Sequence, residues 1–296
     1  LHAANIADVS EYFVDVDYDG GMLSDKTLVQ RIMKIRPDLI ILSTYDPFKS
    51  NHPFLSVMEA IHSKCRIPIV QIWHDSVGEK AIEAGKKLSK LVDLNIEQSA
   101  SNLIKYFGDR KCIRLWTPSD PNVFYPGEAQ RDIPVSFVGS TTSYRDVRVD
   151  FTQHLQENNV GFYHTGGQLD KSAVSIEEYA AVLRRSKISL NFSFSIPGWH
   201  QEKARVFEIL FSGAMLMESN NEETKLHYEP MVDFVPFDTK EDLLDKVRYY
   251  LDHEEERQEI AHNGYLRTIQ EYNQDRLWEL IAGRLSELNL FELNDF

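Results

Sequence analysis

Cysteine is nearly absent: Cys65 and Cys112 are the only two in 296 residues, too few for a disulfide framework and without the Cys-x-x-Cys spacing of a metal site. That usage fits a reducing compartment, so a cytoplasmic location is expected. Basic residues are also short: 32 Lys and Arg against 46 Asp and Glu give a formal charge of -14, with no basic cluster, so no nucleic-acid partner is expected. Long apolar runs are missing; the stretch 39–42 is far too short to cross a bilayer, and the opening residues do not read as a signal peptide. Neither a transmembrane segment nor a leader is expected. No Gly-x-Gly-x-x-Gly follows a strand-like run, which argues against the usual nicotinamide and flavin enzymes. Gly78 with Gly85-Lys86 imitates a phosphate-binding loop, but six residues separate the glycines where four are needed, and Lys87 replaces the Ser or Thr that would hold magnesium. His253-Glu254 has no second His of a zinc protease, and there is no Gly-x-Ser-x-Gly elbow. Neither a metal nor a resident cofactor is expected. Asp15, Asp17 and Asp19 alternate and read either as a divalent-cation cluster or, more simply, as a solvated strand edge or turn. Asn191-Phe192-Ser193 matches a glycosylation sequon inside a strand-like run and reads as chance.

What is present is a regular alternation of strand-like and helix-like segments, the signature of parallel α/β architecture. Strands are expected at 12–16, 39–43, 67–73, 91–96 and 112–116, with helices at 24–35 (stopped by Pro37), 53–63, 78–90 and 100–107 (closed by Gly108). Residues 117–127 hold Pro118, Pro121 and Pro126 and read as a linker. The pattern restarts with a strand at 134–139, a helix at 147–158 and a strand at 161–164. Ser175 and Glu178 form a capping box for a helix to Arg185, followed by a strand at 188–194. Strands at 214–218 and 233–236 come next, then a helix that Asp238 and Glu241 would cap, and a helical tail from Glu254 broken near Asn263-Gly264. The expected fold is α/β, two Rossmann-like doubly wound domains facing a cleft. The first would span 1–120 and be completed by a C-terminal helix in 273–296; the second would span 121–272. The chain starts with Leu1, so the first strand and helix of the N-terminal domain are expected to be shortened or missing before Tyr12.

The densest chemistry lies in 197–216. Pro197-Gly198 open a turn, Phe207, Leu210 and Phe211 recur at helical spacing, and Gly213 supplies a stop. His200, Lys203 and Arg205 gather at the mouth of that helix, where free N–H groups and the dipole favour a phosphate. Glu208, three residues after Arg205, shares its face and suits a sugar hydroxyl pair. A nucleotide-diphosphate site is one reading; an amphipathic surface helix with an internal Arg–Glu pair is the other.

With the preceding strand and the Gly213-Ala214-Met215-Leu216 turn, this region resembles the donor site of GT-B glycosyltransferases. Within them it is most similar to glycosyltransferase family 4 and the spore-maturation-protein-like glycosyltransferases. Phe124-Tyr125-Pro126 resembles the family's interdomain segment, and Phe137-Val138-Gly139-Ser140 with Arg145 its glycine-rich first turn. The resemblance implies a nucleoside-diphosphate sugar donor, UDP- or GDP-linked, and an acceptor that is a glycan, lipid or protein of unknown identity. It implies that Gly139, Ser140, Arg145, Lys203 and Arg205 meet the diphosphate and that Glu208 holds the ribose. Ser140 stands where the family has a second Arg, which leaves Arg148 or Arg205 to substitute. His200 replaces the family's first Glu near the donor sugar. His74, ending the run 70–74, corresponds to a His often found at the cleft; a strand-end His bonded to a neighbouring carboxylate is the alternative. His74, His200 and Arg205 are therefore the expected catalytic groups, working without a metal and with retention. A nucleotide-sugar 2-epimerase and a non-catalytic nucleotide-sugar-binding subunit are the two rival readings.

Overall fold

The computed structural model describes residues 8–13, 17, 22–43, 46–48, 52, 53, 55–128, 130–141, 146–166, 174–196 and 199–290. The chain forms two compact units, residues 1–116 with 275–296, and residues 117–274.

In the first unit, α1 (Met22–Ile35), β1 (Ile40–Ser43), α2 (Leu55–Cys65), β2 (Ile69–Trp73), α3 (Glu79–Leu88), β3 (Leu94–Glu97), α4 (Asn102–Phe107) and β4 (Cys112–Arg114) alternate. The four strands are parallel in the order β1-β2-β3-β4. Ile69 and Val70 of β2 and all of β3 are buried, as strands covered on both faces must be. Ala84 and Leu88 of α3 share one face and join Leu28, Met58, Ile61, Ile69 and Leu103 in the core. Gly85 sits where α3 meets α4: a Cβ there would lie 2.8 Å from Leu103 Cδ2, so it serves close packing and no phosphate loop. Described Tyr12 and Phe13 are not in a strand, and the rest of the expected strand 12–16 falls outside the described residues. Asp15 and Asp19 also fall outside them, while Asp17 Oδ2 accepts from the Phe13 N–H at 2.8 Å.

The second unit runs β5 (Ile133–Val138), α5 (Asp146–Glu157), β6 (Phe162–Thr165), α6 (Ile176–Arg185), β7 (Ser186–Asn191), β8 (Phe194–Ile196), β9 (Trp199–His200), α7 (Ala204–Phe211), β10 (Met215–Ser219), β11 (Val235–Phe237), α8 (Lys240–Asp252) and α9 (Glu254–Glu271). Five strands form a parallel sheet in the order β11-β10-β7-β5-β6, and β8 pairs antiparallel with β9. The core gathers Phe137, Phe151, Ile188, Leu190, Phe192, Met215, Met217, Val235 and Phe237. The capping box forms as expected, with Glu178 N–H donating to Ser175 Oγ and Ser175 N–H to Glu178 Oε2.

Three local expectations change. The long strand ends at Asn191, and Phe194 belongs to the β8–β9 hairpin. The cap of α8 is Thr239, whose hydroxyl accepts from Asp242 N–H, because the Asp242 carboxylate reaches back to Asp238 N–H. Helix α9 continues through Asn263-Gly264 to Glu271. Gly264 is there because a Cβ would lie 2.4 Å from the carbonyl oxygen of Asp233 and 2.7 Å from Leu210 Cδ2, so α9 can approach α7 only without a side chain. The last helix, α10 (Gln274–Glu287), belongs from Asp275 on to the first unit, where the Arg284 guanidinium donates to the Asp109 carbonyl. Among the described residues, no helix is long and apolar enough to cross a membrane.

Candidate functional site

Numbered within the second unit alone, the five parallel strands lie in the order 2-1-3-4-5, and the direction of winding reverses between β5 and β7. Chains leave two such strands toward opposite faces of the sheet, opening a crevice at their C-terminal ends where ligands bind in open α/β folds. Gly139 follows β5 and Asn191 ends β7. Arg205, in the first turn of α7, reaches between them. Its Nη1 donates to Asn191 Oδ1 at 2.9 Å, and its guanidinium carbon stands 5.1 Å from the centre of the Phe137 ring. A Cβ on Gly139 would meet Arg205 Nη2 at 2.7 Å, so the missing side chain is what admits the guanidinium. Arg205 Nε is buried and has no hydrogen-bond partner among the described residues.

Glu208 follows one turn along α7. Its Oε2 accepts from the Tyr179 hydroxyl at 2.5 Å. Burial raises the Glu208 carboxyl above its ordinary pKa, against the Tyr179 hydrogen bond and the Arg205 charge. Burial, and then Glu208 itself, push the Tyr179 phenol well up, which keeps it a donor. The turn after β5 is pinned from two sides: His164 Nε2 lies 2.8 Å from the Gly139 carbonyl oxygen, and Arg148 Nη1 donates to the Ser140 carbonyl at 3.3 Å. Arg148 is buried and its Nη2 donates to the Phe192 carbonyl, so it braces the turn.

The other expected groups are more dispersed. Lys203 is the N-cap residue of α7 without a side-chain cap bond, and its ammonium pairs with Gln201 Oε1. His200 is exposed on β9 with its ring 5.6 Å from that of Phe194. Two residues on, Glu202 is buried and its Oε2 lies 2.8 Å from His227 Nδ1, inside an aromatic cluster with Phe207, Tyr228 and Tyr272. That carboxylate therefore anchors the loop before α7. Arg145 lies outside the described residues. His74 is in the first unit, exposed just beyond β2, with Nε2 2.9 Å from Ser43 Oγ at the end of β1. Its partner is thus a hydroxyl, where a carboxylate was the alternative. The structure brings together Gly139, Arg205 and Glu208 and adds Tyr179, Asn191 and Phe137. Sequence reasoning missed Tyr179, although a tyrosine on the apolar face of an amphipathic helix needs a partner for its hydroxyl.

The sequence matches the family model described as glycosyl transferase-like over residues 128–282. No curated protein matches the chain by sequence. By structure it is similar to HepE from Anabaena in complex with UDP-glucose, at a TM-score of 0.63 and 12% identity, over 89% of this chain and 82% of that one. It is similar to the sucrose-phosphate synthase of Thermosynechococcus elongatus, at 0.59 and 13%, over 90% and 76%. A third likeness is to the pneumococcal O-GlcNAc transferase GtfA in complex with UDP and GlcNAc, at 0.57 and 11%, over 88% and 60%. At these identities the likenesses speak for the fold alone. With just over half of its length matched by that family model, the chain belongs to the glycosyl transferase-like family and is a glycosyltransferase of the GT-B fold.

Proposed function

We propose that this glycosyltransferase takes its sugar from a UDP-sugar and passes it, without a metal and with retention at the anomeric carbon, to a glycan, lipid or protein acceptor. The observation that carries the reading is Arg205, held by Asn191 over the side-chain-free Gly139 at the switch point. Donors fixed in place before the reaction stabilise a departing diphosphate without reorganising, and a guanidinium matches two phosphate oxygens at once. Lys203 and the uncapped start of α7 add positive potential on the same side. Arg145, on the turn after Gly139, is assigned a further phosphate contact by the family resemblance. Glu208 keeps Oε2 for Tyr179 and presents Oε1 to the ribose hydroxyls. His74, with Ser43, is assigned to the acceptor side, and His200 to the donor sugar. The second unit is then the nucleotide-binding domain and the first the acceptor domain. UDP is preferred to GDP because UDP is the nucleotide bound in HepE and GtfA.

The test is thermal stabilisation by UDP, GDP, ADP and TDP, with magnesium and with chelator, on the wild type and Glu208→Ala. Expected is a shift with UDP alone, equal in both media and lost in Glu208→Ala; ligand at a hundredfold its Kd adds about 2.7 kcal/mol. A shift that needs magnesium overturns the metal-free mechanism, a shift with GDP alone overturns the donor, and no shift overturns the diphosphate site. The anomeric configuration of the product, read by NMR, decides retention.

A further inference from the structure

Glu218 is an ionisable residue in a strand that otherwise reads Met215, Leu216, Met217 and Ser219, and it is fully buried. The parallel register sets it beside Asn191, the residue that matches a glycosylation sequon by chance. Asn191 Nδ2 donates to Glu218 Oε2 at 2.5 Å. The other carboxylate oxygen accepts from Ser219 Oγ at 2.9 Å, and Ser219 Oγ in turn accepts from Ser193 N–H at 2.8 Å. The opposite end of the Asn191 amide, Oδ1, receives Arg205 Nη1. A continuous line of hydrogen bonds therefore runs from the loop after β7, through Ser219, Glu218 and Asn191, to the guanidinium at the switch point.

The chemistry of each link fixes the next. An amide is two-faced, with NH2 at one end and a carbonyl at the other, and only its partners decide which way it points. Glu218 Oε1 is taken by the Ser219 hydroxyl and its Oε2 accepts from Asn191, which turns the NH2 of Asn191 toward it and leaves Oδ1 for Arg205. With an apolar residue at 218 the amide would lose that direction, and half of its settings would aim an NH2 at a cation. Burying a carboxylate is costly, and a methionine or leucine like its strand neighbours would be the less costly filling. We propose that Glu218 and Asn191 are positioning residues that orient Arg205 toward the diphosphate of the nucleotide. This rests on the assignment of Arg205 to the diphosphate given above.

The experiment is a double-mutant cycle read by binding of UDP and of uridine, which lacks the diphosphate, to the full chain. Arg205→Ala alone should weaken UDP about ten- to a hundredfold, the loss of charged hydrogen bonds, and leave uridine unchanged. Glu218→Ala should weaken UDP about three- to tenfold, again with uridine unchanged, and Glu218→Gln should restore part of the loss. In the Arg205→Ala background, Glu218→Ala should weaken UDP no further. If Glu218→Ala does not fold, Asn191→Ala breaks the line one bond closer to Arg205 and enters the same cycle. Equal losses for UDP and uridine, or a Glu218 effect that persists without Arg205, overturn the proposal, as does an unchanged UDP affinity in Glu218→Ala when Arg205→Ala has weakened it. An Arg205→Ala that binds UDP normally overturns the diphosphate assignment itself, and the positioning role with it.

Discussion

Each unit buries one carboxylate at the C-terminal end of a central strand, and the two are put to different use. In the first unit Glu97 ends β3, and its two oxygens accept the backbone N–H groups of Leu103 at 2.8 Å and Ile104 at 2.7 Å. The carboxylate thereby closes the start of α4, and those backbone bonds work against the burial that raises its pKa. In the second unit Glu218 finds no helix start, and its hydrogen bonds come from the side chains of Asn191 and Ser219. Burial then pushes its carboxyl up to about 7. The sheets differ in the same sense. Described strands of the first unit lie in consecutive order, whereas the second reverses between β5 and β7. A strand-end acid fastened to backbone stabilises a fold; one fastened to side chains one strand away from a reversal can hold a functional group in place.

Four substitutions press on that contrast. The largest effect is expected for Glu97→Ala, which orphans one buried and one partly buried N–H group at about 1–3 kcal/mol each. It should destabilise the first unit by about 4 kcal/mol, seen by hydrogen exchange as lost protection in β3 and α4 with the second unit unchanged. Next comes Glu218→Gln. The unfolded carboxyl loses its proton near 4.5 and the folded one near 7, so in that window unfolding releases a proton and rising pH favours the unfolded state. Relative to Glu218→Gln, the wild type should lose about 3 kcal/mol of stability between pH 4.5 and 7.5, measured by denaturant titration across pH. Parallel curves would mean that Glu218 does not titrate there. The smallest effect is on binding. Gly139→Ala would put a Cβ 2.7 Å from Arg205 Nη2 and 2.9 Å from Cζ of the buried Phe137 ring, so the guanidinium is displaced and the ring beneath it must shift. UDP affinity should fall about tenfold, or about 1.4 kcal/mol. His74→Ala in the first unit should leave UDP affinity intact and slow turnover.

Local signals carried most of the secondary structure. Pro37 after α1, the Ser175–Glu178 box and the apolar stripe of α8 each act within a few residues, and each forms. The Arg205–Glu208 spacing was legible for the same reason, since both lie on one helix. What the sequence hid was long-range. Gly264 looked like a helix break because its partner, the Asp233 carbonyl, is distant in the chain. Asn191 looked like a stray sequon because its role needs Glu218 from the next strand and Arg205 from the following helix. Tyr179 is on a different helix from the carboxylate it bonds. The off-by-one cap of α8 has a simpler cause: Asp238 and Thr239 are both good caps, and only geometry chooses between them.

The return of α10 to the first unit gives the chain an order of events during synthesis. Residues 117–274 form one uninterrupted unit and can close as soon as they leave the ribosome. The unit begun first must wait for the last helix, whose Leu277, Ile281 and Leu285 are buried in the finished protein. The half carrying the switch point is thus ready while its neighbour is still open, and a stalled or clipped product would keep Arg205 and Glu208 in place yet leave the His74 half unfinished.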